Sequence, residues 1–357
     1  IVNLNTGENT IIQNDPYNNN SLADNNLKVI IKDRNKNYWI ATDHSGLDKF
    51  DKKTNEFTHY THEILDTNCI SNNKTTCLIE DYLGNIWVGT NEGLNKIDPK
   101  TGNITIYFND PKNHESLSHN LINCFFEDSD SNLWIGTDDG LNMFIREKDK
   151  FISYKNDSLN PLSISDNKIF SVYEDKSGTF WISTVYGGLN KMDREKGEFQ
   201  SYSKKEGLPH NLIYNILEDK NNNLWISTNW GISKFNTFYE KFINYDVTDG
   251  LQGNEFNLGA SLKSSDGHLL FGGTNGLTYF IPEKIKANLN KPPLVLTSFK
   301  IFNEEQKREL FNNDTIRLNY DDNFFSFEFS ALNYFSPLKN MYKYKLENYD
   351  KDWVVRD

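Results

Sequence analysis

"NLWIGTDDGL", residues Asn132–Leu141, is the stretch that decides the fold. Nearly the same wording returns at Ile86–Leu94 (IWVGTNEGL), Phe180–Leu189 (FWISTVYGGL) and Leu224–Ile232 (LWISTNWGI). A reaction centre is built once from unlike parts, whereas a phrase at a fixed interval marks a repeated structural unit. Trp39, Trp87, Trp134, Trp181 and Trp225 are separated by 48, 47, 47 and 44 residues, and Leu270 takes the same place 45 further on, giving six copies. An Asp stands six before each Trp (Asp33, Asp81, Asp128, Asp175, Asp219), and an Asn fourteen before (Asn25, Asn73, Asn120, Asn167, Asn211). A Thr stands three after (Thr42, Thr90, Thr137, Thr184, Thr228); in the sixth copy Ser264 and Gly273 hold two of these places. Gly46, Gly93, Gly140, Gly188, Gly231 and Gly276 close the phrases, where a tight turn with positive φ favours glycine.

Within one unit, "LINCFFED", "NLWIGT", "GLNMFI" and "KFISY" are short apolar, aromatic-containing runs divided by Asp, Asn, Gly, Ser and Lys. Four strands in a period near 45 residues make a propeller blade. Apolar positions at helical spacing, which a helical solenoid needs, are not found. The fold expected is all-β: a β-propeller of six recognisable four-stranded blades, with seven possible, over residues 1–291. Each Trp is expected on a second strand, filling the wedge between blades; burial of so large a ring contributes about 2–3 kcal/mol.

The net charge of -12 argues against nucleic acid or an anionic membrane surface as partner, since both select clustered Lys and Arg. No apolar run approaches 18 residues and no basic, apolar leader opens the sequence, so neither a membrane span nor a signal peptide is expected in it. "IVNLNTGENTIIQNDP" aligns with "KIDPKTGNITIYFNDP" (Lys96–Pro111), so the chain is expected to begin inside a repeat as an excised segment of a longer protein. Its first strand, near Thr10 to Asn14, is expected to complete the last blade and close the ring without an exposed edge. Cys77 and Cys124 hold equivalent first-strand positions and, with Cys69, read as small apolar wall residues, no His or paired Cys making a redox or ligand pattern nearby.

After Pro292 and Pro293 the period stops. "FFSFEFSALNYF" alternates Phe325, Phe327 and Phe329 with Ser326, Glu328 and Ser330, and "MYKYKLENYDKDW" alternates Tyr342, Tyr344 and Leu346 with Lys343, Lys345 and Glu347. With "PPLVLTSFKIFN" these are strands with one buried face, part of an incomplete Ig-like β-sandwich over residues 292–357.

The framework in "NLINCFFEDSDSNLWIGTDDGLNMF" resembles the two-component-regulator propeller repeat, and the tail with "FSALNY" and "YKYKLENYDKDW" resembles the start of the tyrosine-rich (Y_Y_Y) sandwich that follows such propellers. In that order they are similar to the extracellular sensor region of membrane-spanning histidine kinases, often hybrid ones, in which two seven-bladed propellers are common. The resemblance implies an extracytoplasmic (periplasmic or cell-surface) sensing region of a membrane-anchored two-component receptor, working as a homodimer and detecting an oligosaccharide or other small extracellular ligand.

Antiparallel first and second strands bring the framework Asn and the residues after Thr to one face, which the long inter-blade connections "NDPKNHESLSHN" and "KNDSLNPLSISDN" also reach. Recognition is assigned to that face. Its candidates are residues that differ between copies: His44, Asn91, Glu92, Asp138, Asp139, Tyr186, Trp230 and Asn275. Tyr and Trp offer stacking faces to a sugar, and Asp, Glu and Asn offer directional hydrogen bonds. An ordinary loop or packing role is the plainer reading of each. His119 and His210, beside framework Asn residues, form no metal set. No cofactor, metal or catalytic residue is indicated: the Asp residues recur in register, whereas an acid and nucleophile pair is unique. The alternative is a non-catalytic propeller scaffold for protein partners.

Overall fold

The computed structural model describes residues 11–285, 293–306, 316–332 and 342–356, and they fall into two units, 1–284 and 285–357. The first unit is an open ring of antiparallel sheets in sequence order. Blade 1 holds Leu27–Lys32, Tyr38–Thr42, Leu47–Asp51 and Glu56–Tyr60; blade 2 holds Thr75–Glu80, Ile86–Thr90, Gly93–Ile97 and Ile104–Tyr107. Blade 3 is Ile122–Glu127, Leu133–Thr137, Gly140–Ile145 and Lys150–Tyr154. Blade 4 is Ile169–Glu174, Phe180–Thr184, Leu189–Asp193 and Glu198–Tyr202, and blade 5 is Ile213–Glu218, Asn223–Thr228, Gly231–Asn236 and Lys241–Tyr245. The first strands stand side by side around a central cavity.

Blade 6 departs from the expected four strands, having three among the described residues: Phe256–Lys263, Leu269–Gly273 and Gly276–Phe280. Nor do Ile11–Asn14 pair with it. Ile12 packs on Leu22, Ile40 and Phe50 of the blade 1 side. Asn14 donates its backbone N–H to Asn25 Oδ1 and its amide to the Leu22 carbonyl, as Asn109 does to Asn120 and Leu117 at the end of blade 2. That repeated amide clasp holds the segment to the following blade, against the expectation that it completes the last one; Thr10 lies outside the described residues. The first strands of blades 6 and 1 do not pack together as the other neighbours do, so the expected meeting of first and last blades is not found.

The framework residues have separate duties. Each Trp is fully or almost fully buried, and its indole N–H donates to the Asp six before it at 2.8–3.0 Å in all five copies. The same carboxylate accepts backbone N–H groups of the turn to the second strand, for instance Asn132 and Asp130 on Asp128. Each Thr hydroxyl donates to the carbonyl of the closing glycine, as Thr137 does to Gly140 at 2.9 Å. These glycines have φ between 81° and 130°, the left-handed region. A Cβ at Gly188 would lie 2.2 Å from the Tyr202 carbonyl oxygen, so the turn also lacks room for a side chain. Ahead of blades 2, 3 and 4 the framework Asn joins blades: its backbone carbonyl accepts the glycine N–H of the preceding blade, Asn73 from Gly46, Asn120 from Gly93 and Asn167 from Gly140.

Wedges between blades are filled as expected. Trp134 packs with Ile169, Val172, Phe180, Ile182 and Phe199 of blade 4, and Trp181 with the corresponding residues of blade 5. Cys77 and Cys124 are free thiols on the inner wall, facing Gly89 and Gly136 across the ladder. A Cβ on either glycine would come within 2.5 Å of the sulfur, which explains why cysteine and glycine occur together in blades 2 and 3 while blade 1 pairs Val29 with Ala41. Burial pushes the Cys124 thiol up to about 12, keeping it unreactive.

In the second unit, Leu294–Ile301 pairs antiparallel with Phe325–Ala331 and with Glu304–Glu305, and Tyr342–Tyr344 pairs with Val354–Arg356. Phe299 is buried against Phe325 and Phe327, and the Tyr342 hydroxyl accepts the Ala331 N–H, linking the two sheets. Residues 333–341, with the Asn333–Tyr334 part of "FSALNY", lie outside the described residues, as does the expected boundary at 291–292.

Two outcomes follow. Trp181→Ala is expected to cost about 3–5 kcal/mol, and Leu270→Ala, half buried at the same repeat position, about 1 kcal/mol in denaturant unfolding; equal costs would refute the wedge role. For acid stability, burial opposes the charged form of Asp81 and Asp219, yet the hydrogen bonds of Trp87, Asn85 and Arg146, and of Trp225 and Asn223, hold these carboxyls below the ordinary 3.8. The unfolded chain therefore binds protons first as pH falls, so this stabilisation is intact above the ordinary value and is lost as pH drops through the folded values. Urea midpoints measured between pH 6 and pH 3 should fall less steeply for the Asp81→Asn, Asp219→Asn double variant than for the parent; parallel curves would contradict the assignment.

Candidate functional site

The turns between second and third strands and the starts of the first strands meet on one face, because the turn carboxylates bond across to those starts. Asp138 of blade 3 accepts the Asn123 amide at 2.9 Å and the Lys168 ammonium of blade 4 at 2.9 Å. Asp139 accepts Lys155 at 2.6 Å and the amide of Asn167 at 2.9 Å. In blade 1, Asp43 pairs with Lys28 at 3.1 Å, and the Lys28 contact holds its carboxyl below the usual range. His44 is exposed beside Asp43, 3.4 Å away. Glu92 accepts the Asn72 amide, Asn91 bonds the Lys74 carbonyl through its backbone N–H, and Asn275 is fastened to Gln252.

The eight sequence candidates thus lie around the ring on blades 1 to 6 rather than in one cluster. The structure groups Asp138 with Asp139, and sets Tyr186 and Trp230 at matching turns of adjacent blades 4 and 5. These two rings are 76% and 57% exposed. Both turn backbones are hydrogen-bonded in place: Tyr186 N–H donates to Asp166, its carbonyl accepts the Asn211 amide, and Trp230 N–H donates to Thr228 Oγ1. The carboxylates already have cations or amides as partners, whereas the aromatic faces are open to solvent. His119 and His210 each accept a backbone N–H two residues on through Nδ1, a turn role; burial and Lys204 lower the His210 pKa.

Sequence reasoning missed the mouth of the central cavity. That cavity, of about 770 Å3, is lined by one first strand from each blade, including Lys28, Thr76, Asn123, Phe170, Asn215 and Asn257. Phe170 stacks on Tyr214 with ring centres 6.4 Å apart, Lys168 lies 5.9 Å from the Phe170 centre, and the Tyr214 hydroxyl bonds Asn229. The signal was available, since position eleven before the Trp reads Lys28, Thr76, Asn123, Phe170 and Tyr214, different in every copy. Among the described residues no group of His, Cys, Asp and Glu is placed to hold a metal, and no helix is long and apolar enough to cross a membrane.

Residues 69–92, 116–139, 163–186 and 207–230 match the two component regulator propeller repeat, each match running from the inter-blade loop to the second turn. Histidine kinase P4 of Formosa agariphila is 31% identical over 136 residues, 36% of this chain and 10% of that protein. The extracellular domain of the putative one component system BT4673 from B. thetaiotaomicron superposes with a TM-score of 0.52 and 22% identity, over 93% of this chain and 64% of that one. A streptogramin B lyase superposes over 76% of this chain and 87% of its own with a TM-score of 0.53 and 15% identity, a likeness of fold. The chain spans about a tenth of the curated relative and under two thirds of the first solved structure.

Proposed function

We propose that this chain, which is built from two-component regulator propeller repeats, is the extracytoplasmic ligand-sensing region of a membrane-bound sensor histidine kinase and detects a carbohydrate. The observation that carries the ligand class is the pair of exposed rings Tyr186 and Trp230, set on hydrogen-bonded turns of adjacent blades on the long-loop face. A pyranose ring stacks its C–H face on such side chains while its hydroxyls reach amides and carboxylates, here Asn211, Asp166 and Asn229 on the same blades. The intact receptor is membrane-anchored and dimeric in this reading, with the second unit, as the start of the tyrosine-rich sandwich, passing the signal on. A ligand biases such a receptor only through differential affinity for its two arrangements.

The region is non-catalytic in this reading. Its buried framework carboxylates are engaged by indoles, amides and arginines, and each recurs from blade to blade, so none is set apart as an acid or nucleophile. Calorimetry of the receptor's extracellular region against a panel of neutral and acidic oligosaccharides should find a binder, with Trp230→Ala and Tyr186→Ala each weakening it about tenfold or more and leaving the fold intact. Unchanged affinity in both folded variants would remove the site from this face. Binding to proteins alone would favour a scaffold, and turnover of a glycan abolished by one carboxylate substitution would make the region an enzyme.

A further inference from the structure

The first strand of each of blades 1 to 5 carries a β-bulge at one and the same repeat position. Leu27 pairs with Thr42 and Val29 with Ala41, which leaves Lys28 without an opposite residue; Thr76, Asn123, Phe170 and Tyr214 are left over in the same way. A bulge re-aims the side chain it frees, and bulges gather beside functional sites. Here Lys28, Thr76, Asn123 and Phe170 line the mouth of the central cavity, and Tyr214 stacks on Phe170. In blade 6 a longer arch, Asn257–Ala260, takes the bulge's place. Asn215 holds it, its amide donating to the Asn257 carbonyl and its Oδ1 accepting the Gly259 N–H. The ladder does not use the bulged side chains, so they are free to differ while the framework beside them repeats.

The differences are sorted by blade. Eleven residues before the repeated Trp and five after it, blades 4 and 5 carry Phe170, Tyr186, Tyr214 and Trp230, whereas blades 1 to 3 have no Phe, Tyr or Trp at either place. The inner and outer rings are joined, since the Tyr214 hydroxyl bonds Asn229, the residue before Trp230. Beneath the mouth the wall is divided in the same way. Blades 1 to 3 pair Val29 with Ala41, Cys77 with Gly89 and Cys124 with Gly136, while blades 4 and 5 pair Ser171 with Ser183 and Asn215 with Ser227. Ser183 Oγ, across the ladder from Ser171, is buried and has no hydrogen-bond partner among the described residues. Blades 4 and 5 thus set aromatic rings over a polar wall. The rim lysines Lys28 and Lys168 each carry their own carboxylate, Asp43 and Asp138, so together they present no net charge to a ligand.

We propose that the cavity mouth at blades 4 and 5 is the subsite for the uncharged terminal sugar of a linear oligosaccharide, with Phe170 and Tyr214 as binding residues and Asn215 as the positioning residue of the Asn257–Ala260 arch. This rests on the carbohydrate reading above and goes beyond it by fixing which part of the chain is recognised. A terminal sugar sets its C–H face on an aromatic ring and its hydroxyls on polar groups, which is the pairing that blades 4 and 5 supply. The cavity, about 770 Å3, has the size of a small-ligand site. The track of rings runs inward from Tyr186 and Trp230 and stops at the axis, where Lys28, Thr76 and Asn123 offer no stacking face, so the sugar chain ends there.

Calorimetry of the receptor's extracellular region against linear neutral oligosaccharides, from disaccharide to hexasaccharide, tests this. Phe170→Ala and Tyr214→Ala should each weaken the binder about tenfold or more, while Phe170→Tyr, which keeps the ring, should bind as the parent does. A bulky aromatic cap at one end of the sugar should weaken binding as strongly, and the same cap at the other end should not; a uronate as the terminal unit should also weaken it. If an alanine variant fails to fold, Lys28→Trp, at an exposed position lining the same mouth, fills it and should have the same effect. Loss of affinity in Trp230→Ala and Tyr186→Ala, with Phe170→Ala and Tyr214→Ala unchanged, would overturn the axial subsite and leave the carbohydrate reading standing. Equal binding of sugars capped at either end would show recognition within the chain and overturn it too, as would a terminal uronate bound as tightly as the neutral sugar. Binding of no sugar in the panel removes the reading and the subsite together.

Discussion

The hydrogen bond from each repeated tryptophan to the aspartate six residues before it is the constraint on which the rest of the ring depends. An indole buried between two sheets must place its N–H somewhere, and an unpartnered one costs about 1–3 kcal/mol. The Asp carboxylate meets that demand while accepting the N–H groups of the turn joining the first two strands, so one side chain fixes both the turn and the angle of the ring. In blades 3 and 4 an arginine from the third strand's end extends the arrangement: Arg146 reaches Asp81 and Arg194 reaches Asp128, each in the preceding blade. The carboxylates that make the repeat recognisable are thereby fully employed in holding blades together.

What the sequence made legible follows from this geometry. A wedge that recurs with the same shape selects the same Trp, Asp, Thr and Gly, so period, strand order and turn positions could be read directly. Features that break the period could not. Asn254 does for blade 6 what Asn120 does for blade 3, its carbonyl accepting the Gly231 N–H, but it stands 16 rather than 14 before the reference position because the first strand of blade 6 carries extra residues between Phe256 and Ser261. Arg146 and Arg194 act across blades, and no local pattern announces a partner some 65 residues away.

The candidate site shows the same division. Reasoning from differences between copies reached Tyr186 and Trp230, whose rings the structure leaves exposed, and also reached Asp138 and Asp139, whose charges it pairs with Lys168 and Lys155. The sequence alone could not separate the two groups, since a lysine's reach depends on how neighbouring blades are rotated. The cavity mouth, with Phe170 stacked on Tyr214, varies as strongly between copies and adjoins the same face, so a ligand long enough to pass from Tyr186 or Trp230 toward the axis would meet it.

A double-mutant cycle on Trp134 and Asp128 tests the central claim most directly. Trp134→Phe keeps an aromatic ring in the wedge and removes the indole N–H, and Asp128→Ala removes its acceptor. If the pair organises the blade, the two unfolding costs should fall short of additivity by about 1.5 kcal/mol or more, as expected for a hydrogen bond to a charged group. Costs that add to within about 0.5 kcal/mol would show that ring burial alone holds the blades and that the aspartate serves only its turn.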